Sequence, residues 1–395
     1  MSLSSLACNR NFLGLAVANT ILGAAMPMLL ILAGLTGLHL SPSPALATLP
    51  ASVQVFAGMV AAAPISLLMG RVGRRGGFVV GGALALSGAL TATYAMVSGS
   101  FALLCLGHFA LGAGLAAFQY FRFAAGEVVT PEWRPVAISL MLTSGLLAAL
   151  GGPQLFILAK DAFAPVPFAG AYAAIAVIAV VGLLPLSVVR LPRPPAAMAP
   201  RHGLAVAALR RAPIRKAIGL AAVSQGVMMF LMIPTPLAMI GGGFSEDMAG
   251  DVIRWHIVAM FAPSFFTGFL IKKWGATAIS YLGLSMLVAS ALTAAAGLTS
   301  LHFYGALIVL GLGWNFGFIG ATALLAAAVK DDEKAAIQGL NDTLIALVST
   351  LCAFASGLVI SALGWALLAA CAIGIVVFAG LVIASDRPMP VQGRS

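Results

Sequence analysis

Apolar stretches of about twenty residues or more follow one another along the whole chain, broken only by short polar turns, and no water-soluble core absorbs that pattern. A helix rises ~1.5 Å per residue, so about 20 apolar residues cross a ~30 Å hydrocarbon layer. Twelve segments reach that length, at roughly 12–37, 50–69, 77–97, 101–129, 135–158 and 167–190, then 217–240, 252–271, 276–297, 301–327, 336–360 and 363–384. Only 8% of the 395 residues are charged and 61% are hydrophobic, with a mean hydropathy of +1.07, which leaves too little polar surface to face water on all sides. The pattern predicts an all-α membrane protein of twelve transmembrane helices.

A net charge of +10 suggests nucleic acid in a soluble protein, so the placement of Lys and Arg decides. With both termini cytoplasmic, every one of the 21 basic residues except Arg122, Lys160 and Arg254 falls on the inner side. That asymmetry obeys the positive-inside rule and fixes the orientation together with an even number of spans. It predicts a multi-pass protein of a bacterial inner membrane, its basic loops against the anionic inner leaflet, with no nucleic-acid partner. Cys8, Cys105, Cys352 and Cys371 are scattered without framework spacing and read as packing residues. After Arg10 the first apolar stretch is too long for a signal core, so it reads as a retained span.

The one long polar interruption, residues 191–216, is rich in Pro and Arg. It divides the chain into a six-helix bundle at 1–190, a cytoplasmic basic linker at 191–216 and a second six-helix bundle at 217–395. Within the linker, Leu204–Leu209 has the pattern of a short amphipathic turn. The two halves share a period: SLLMGRVGRR at Ser66–Arg75 matches GFLIKKWGAT at Gly268–Thr277, with Gly73 on Gly275 at an offset of 202, and Arg134 falls on Lys334 at an offset of 200. Duplicated membrane halves of this kind commonly enclose a solute path between them.

GRVGRR at Gly70–Arg75, after the second span, resembles the cytoplasmic signature of the major facilitator superfamily, with Ser66 and Gly70 standing where that signature has Gly and Asp. His108-x-x-x-Gly112-x-Gly114 resembles its fourth-helix pattern, with His in place of Arg. The resemblance implies two pseudo-symmetric six-helix bundles working by alternating access. It also implies a cytoplasmic gate, for which Arg71, Arg74, Arg75, Lys272 and Lys273 are the cations and Glu127 and Arg134 flank the loop after the fourth span.

An ionisable group in hydrocarbon costs several kcal/mol unless it meets water or a partner, which singles out His108, Arg122 and Asp342. His108, Gly112, Leu115, Gln119, Arg122 and Gly126 form one stripe of the fourth span, while Gln338, Asp342 and Ser349 share a face of the eleventh. Arg122 and Asp342 sit at equal depth, ~10 Å in from the same end, so an ion pair between them is one reading. Pairing of Arg122 with backbone carbonyls or substrate, and snorkelling to the surface, are the others. Asp342 is the one carboxylate well inside an expected span and is the candidate for proton coupling, with His108 the second titratable choice or a structural hydrogen-bonding group.

In the superfamily, helices 1, 4, 7 and 10 line the cavity, so the resemblance brings Asn19, His108, Gln119, Tyr120, Arg122, Gln225, Trp314, Asn315 and Phe318 to the substrate. Met228, Met229 and Met232 lie on the same seventh span, and Phe118, Phe121 and Phe123 thicken the aromatic set on the fourth. Flat rings, soft Met side chains and neutral amides suit a planar, weakly charged solute with hydrogen-bonding edges, for which a flavin-like vitamin such as riboflavin is a concrete candidate. Proton-coupled uptake is the first reading. Efflux by proton exchange and a non-transporting receptor or scaffold are the alternatives. The sequence carries no zinc-ligand, nucleophile-elbow or phosphate-loop motif, which predicts no enzyme, no cofactor and no metal; the chain is expected to act as a monomer.

Overall fold

A computed structural model describes residues 9–130, 133–191, 207–330 and 333–386, and among them the regular elements are α-helices and short 3-10 turns. The chain divides into two compact units, Met1–Ala197 with Met239–Val258, and Met198–Ala238 with Ala259–Ser395.

The first unit contains α1 (Arg10–Gly23), α2 (Ala25–Leu40), α3 (Leu49–Ser98), α4 (Phe101–Phe118), α5 (Phe121–Glu127), α6 (Arg134–Ala159) and α7 (Ala169–Leu183). The second is built on α8 (Ala212–Met232), α11 (Ser264–Trp274), α12 (Ala276–Ala296), α13 (Ser300–Ala328) and α14 (Lys334–Ser385). Two further helices, α9 (Thr235–Gly241) and α10 (Glu246–Phe261), pass from one unit to the other.

A straight helix of 50 residues, the length of α3, would run for about 75 Å, more than twice a ~30 Å hydrocarbon layer. Gly73 divides it at φ 83°, ψ 165°, a conformation that a residue with a Cβ rarely adopts. The 52-residue α14 is divided likewise at Gly364, φ 74°. With each counted as two spans, and with α1–α2, α4–α5, α8–α9 and α10–α11 each read as one broken span, the described residues carry the twelve expected from sequence. Gly275, set opposite Gly73 by the repeat, has φ 84° and ψ 150°, so the two basic turns share one backbone conformation.

Packing inside each unit depends on small residues, because lipid tails give no hydrophobic drive between helices already in the bilayer. A Cβ on Gly81 would stand 2.4 Å from that of Ala117 and 3.1 Å from the Gly114 carbonyl oxygen. In the second unit a Cβ on Gly283 would meet Gly317 N at 2.2 Å and Gly313 O at 2.8 Å. Gly81 and Gly283 again stand 202 residues apart, so a duplicated crossing of the third and fourth helices of each half is held by the same device.

Some boundaries differ from the sequence expectation. The seventh span starts at Ala212 instead of 217, so the last five residues assigned to the linker are helical, and Leu204–Val206 and most of that linker lie outside the described residues. The eighth starts at Glu246, six residues early, which brings Glu246, Asp247 and Asp251 into helix. Acidic Glu246 and Asp247 in its first turn suit the positive end of the helix dipole, a stronger local signal than hydropathy for where the helix starts.

Candidate functional site

Within the second unit, polar and aromatic groups meet where α8 faces α13. Trp314 and Phe318, one helical turn apart on α13, stack with ring centroids 5.1 Å apart and planes 13° from parallel. Phe261 meets Trp314 edge-on at 5.9 Å. The indole Nε1 donates to Gln225 Oε1 of α8 at 2.6 Å, which fixes the amide and leaves its Nε2 hydrogens without a partner among the described residues. All four side chains are half-buried. The arrangement offers a flat aromatic surface with neutral donors at its edge.

Asn315, expected beside Trp314 at the substrate, is fully buried instead. Its Nδ2 donates to Met260 O and to Ser264 Oγ, both at 2.7 Å, and its Oδ1 accepts from Thr267 Oγ1 at 2.7 Å. These bonds satisfy polar groups at the 42° bend between α10 and α11, where Pro263 interrupts the helix. Met228, Met229 and Met232 are likewise buried in the packing of α8.

In the first unit, Asn19 of α1 donates to Ser144 Oγ at 2.8 Å and to Met141 O at 3.2 Å, tying α1 to α6. The stripe expected along the fourth span does not face one way. His108 is fully buried, its Nδ1 2.8 Å from Gln54 Oε1 and its Nε2 2.7 Å from Tyr172 Oη. Tyr172 Oη reaches Thr36 Oγ1 at 2.9 Å, and Thr36 donates to Leu32 O. A Cβ on Gly112 would stand 2.1 Å from Gln54 O, so this part of α4 lies against α3. The helix then breaks at Gln119 and Tyr120, and Gln119 is exposed. Beyond the break Phe121 stacks on Phe78 in the core, with centroids 4.1 Å apart, and Phe118 packs beside it. Arg122 turns its guanidinium over Phe123, 4.8 Å from the ring centroid, and its buried Nε makes no hydrogen bond among the described residues.

Asp342 on α14 is exposed, and its Oδ1 accepts from Gln338 Nε2 at 2.8 Å and Asn341 Nδ2 at 3.0 Å. Ser349 on the same helix is buried and bonds back to Ile345 O.

At the basic end of the first unit, Arg74 follows the Gly73 turn and binds Glu127 at the end of α5. Its Nη2 donates to Oε1 at 2.8 Å, while Nε donates to Oε1 at 3.1 Å and Oε2 at 3.3 Å. The Tyr120 ring lies 5.5 Å from the same guanidinium, and its hydroxyl donates to Ala62 O. Arg71 and Arg75 are exposed, as are Lys272 and Lys273 in the second unit, where Lys273 sits over Trp274. Arg134 opens α6, and its side chain lies outside the described residues. At the basic end of the second unit Arg211 binds Glu333 and Arg215 binds Asp386, each at 2.6 Å. The Lys330 backbone N–H and then Arg211 pull the Glu333 carboxyl below its ordinary range, and Arg215 does the same to Asp386.

Far along the chain from these pairs, Lys160 at the end of α6 lies 2.9 Å from Asp247 and 3.3 Å from Glu246, in the first turn of α10. Burial opposes its charge, but the hydrogen bonds and charges of Asp247 and Glu246 outweigh that and hold the ammonium above its ordinary pKa. The Lys160 ammonium is therefore fully charged at neutral pH, and its contribution is lost as alkali removes its proton. Asp251 and Arg254 pair one turn further along α10. Sequence reasoning passed over Lys160, Glu246 and Asp247 because each sits in a short polar turn, where a charge is ordinarily a solvated one. Lys160→Met is expected to loosen this contact. The ion pairs are partly exposed, so the loss is about 1–2 kcal/mol in total. Spin labels at Ala162→Cys and Phe244→Cys, read by electron–electron double resonance, should report longer distances in the variant, and identical distance distributions would show that these ion pairs do not hold α6 to α10.

No family model matches the sequence. The chain is 36% identical over 363 residues to the riboflavin transporter RfnT of Brucella anthropi, covering 91% of each protein. It is 30% identical over 337 residues to YddS, an uncharacterized MFS-type transporter of Bacillus subtilis, covering 80% of this chain and 76% of that one. Among solved structures it is similar to the xylose transporter XylE from E. coli, at a TM-score of 0.73 and 12% identity, over 98% of this chain and 99% of that one. The human organic anion transporter MFSD10 gives a TM-score of 0.67 at 15% identity, over 95% and 99% of the two chains.

Proposed function

The chain belongs to the major facilitator superfamily, and from that premise we propose that it takes up riboflavin or a closely related flavin across the inner membrane, driven by protons. It is a membrane transporter and not an enzyme. The observation that carries the substrate is the 36% identity to a riboflavin transporter over 91% of both chains.

The chemistry of the second unit supports it. A tricyclic isoalloxazine is flat and apolar on its faces and carries carbonyl and imide groups along one edge. Trp314 and Phe318 supply a surface for the face, and the free Gln225 Nε2 hydrogens are donors for an edge carbonyl. Binding of this kind leaves the solute uncharged, so accumulation needs a second, charged passenger. Asp342 is suited to carry it. Exposed on α14 and held by two neutral amides, it can take a proton from one side and release it on the other as its surroundings alternate between water and protein. By the positive-inside rule the end carrying Arg74 and Glu127 is cytoplasmic, and their pair holds the basic turn against the end of α5 there.

Purified protein in liposomes, given radiolabelled riboflavin and an inward proton gradient, tests the reading. Accumulation inside, abolished by an uncoupler, supports it; no movement of flavin in either direction sinks it, and movement only out of the compartment that gains protons assigns export by proton exchange. Asp342→Asn is expected to exchange labelled for unlabelled flavin at a normal rate while losing gradient-driven accumulation. Full accumulation by that variant moves proton coupling to another group.

A further inference from the structure

Three arginines converge at the basic end of the first unit without a carboxylate among them. Arg10 opens α1, Arg75 follows the Gly73 turn of α3, and Arg190 lies just beyond the 3-10 turn Leu184–Ser187 that ends the sixth span. Together with Asn11, Ser187 and Val188 they line a cleft of about 700 Å³. All three side chains are exposed, and none forms an ion pair among the described residues, although Arg74, next to Arg75, is fully engaged by Glu127.

The walls of the cleft are fixed. Asn9 caps α1 by accepting from the backbone N–H groups of Asn11 and Phe12, and its Nδ2 donates to Val128 O. Asn11 Oδ1 accepts from the Arg190 backbone N–H at 2.9 Å, stitching the start of α1 to the end of the sixth span. Three like charges held together in this way repel one another unless an anion sits between them. A guanidinium presents paired donors that match the oxygens of a phosphate better than those of a halide. The cleft also sits where apolar helices end, at the start of α1 and the close of the sixth span: Val188 lines it at 45% exposure, and Leu184, one turn earlier in the chain, is 62% exposed. This is the depth of lipid headgroups.

We infer that the Arg10–Arg75–Arg190 cleft is a binding site for a phosphate group, presented by the headgroup of an anionic phospholipid or by soluble phosphate. It lies apart from the residues assigned to substrate and is independent of what the protein carries.

The test is thermal unfolding of the full-length protein in nanodiscs of phosphatidylcholine alone, of phosphatidylcholine with phosphatidylglycerol, and of phosphatidylcholine in millimolar inorganic phosphate. A ligand of the folded state raises the midpoint, here by several degrees at saturation. The rise with phosphatidylglycerol is expected to vanish in Arg10→Gln/Arg190→Gln and to persist in Arg210→Gln/Lys216→Gln, which removes the same charge elsewhere at the basic end. A rise with inorganic phosphate alone, lost in the same variant, assigns the soluble source to the same site. Arg75→Gln, leaving both ends of the Asn11 stitch untouched, must halve the response at least and serves if the double variant does not fold. Equal loss in the two double variants, or no rise with either phosphate source, overturns the site.

Discussion

Trp314→Ala is expected to raise the riboflavin concentration for half-maximal uptake by roughly 10- to 100-fold, with a smaller effect on the maximal rate. Stacking of one flat heterocycle on an aromatic side chain contributes about 1–3 kcal/mol, and each 1.4 kcal/mol is a factor of ten. The substitution also removes the 2.6 Å bond that orients Gln225, so the edge donors are lost with the face. Trp314→Phe separates the two contributions. It keeps a ring over Phe318 but leaves Gln225 Oε1 without its donor, at a cost near 1 kcal/mol, or about fivefold in apparent affinity. Concentration-dependent uptake in liposomes checks both, and an unchanged half-saturation in Trp314→Ala removes α13 from the substrate site.

Arg74→Ala is expected to cut the transport rate at least tenfold while the protein still inserts in normal amount. The guanidinium grips Glu127 through both Nε and Nη2 and packs on Tyr120, so truncation frees the end of α5 and strands a partly buried carboxylate. Arg74→Lys keeps the charge but cannot reproduce the forked contact, and its rate should fall between those of the parent and Arg74→Ala. Exchange of the pair, Arg74→Glu with Glu127→Arg, is expected to restore part of the rate lost by either single change. Flavin exchange rates normalised to membrane content decide, and a normal rate in Arg74→Ala would show that the basic turn serves orientation alone.

The residues that meet each other were harder to read than the spans that carry them. Trp314 and Phe318, one turn apart, could be read as neighbours from helical periodicity, whereas the bond from Trp314 to Gln225 joins two helices far apart in the chain and needed the packing. His108 and Asn315 had the same signature of a polar group in an apolar run, yet both are buried with their polar atoms engaged, His108 by Gln54 and Tyr172, Asn315 at a bend beside Pro263. Periodicity gives the direction in which a side chain leaves its helix and says nothing of whether water, lipid or another helix lies there.

The amino-acid sequence by itself determined the solvent this protein folds in, the number of spans and the duplication. Each follows from the run length of apolar residues, the distribution of Lys and Arg, and a 202-residue repeat that recurs in the backbone as matched positive-φ turns at Gly73 and Gly275. Only the tertiary structure decided the partners: Lys160 with Glu246 and Asp247, Arg74 with Glu127, and Arg10, Arg75 and Arg190 around one cleft. The physical reason is range. Hydropathy and charge asymmetry act through the bilayer on each segment separately, whereas an ion pair or a hydrogen bond acts over about 3 Å and exists only once packing has brought distant segments of the chain together.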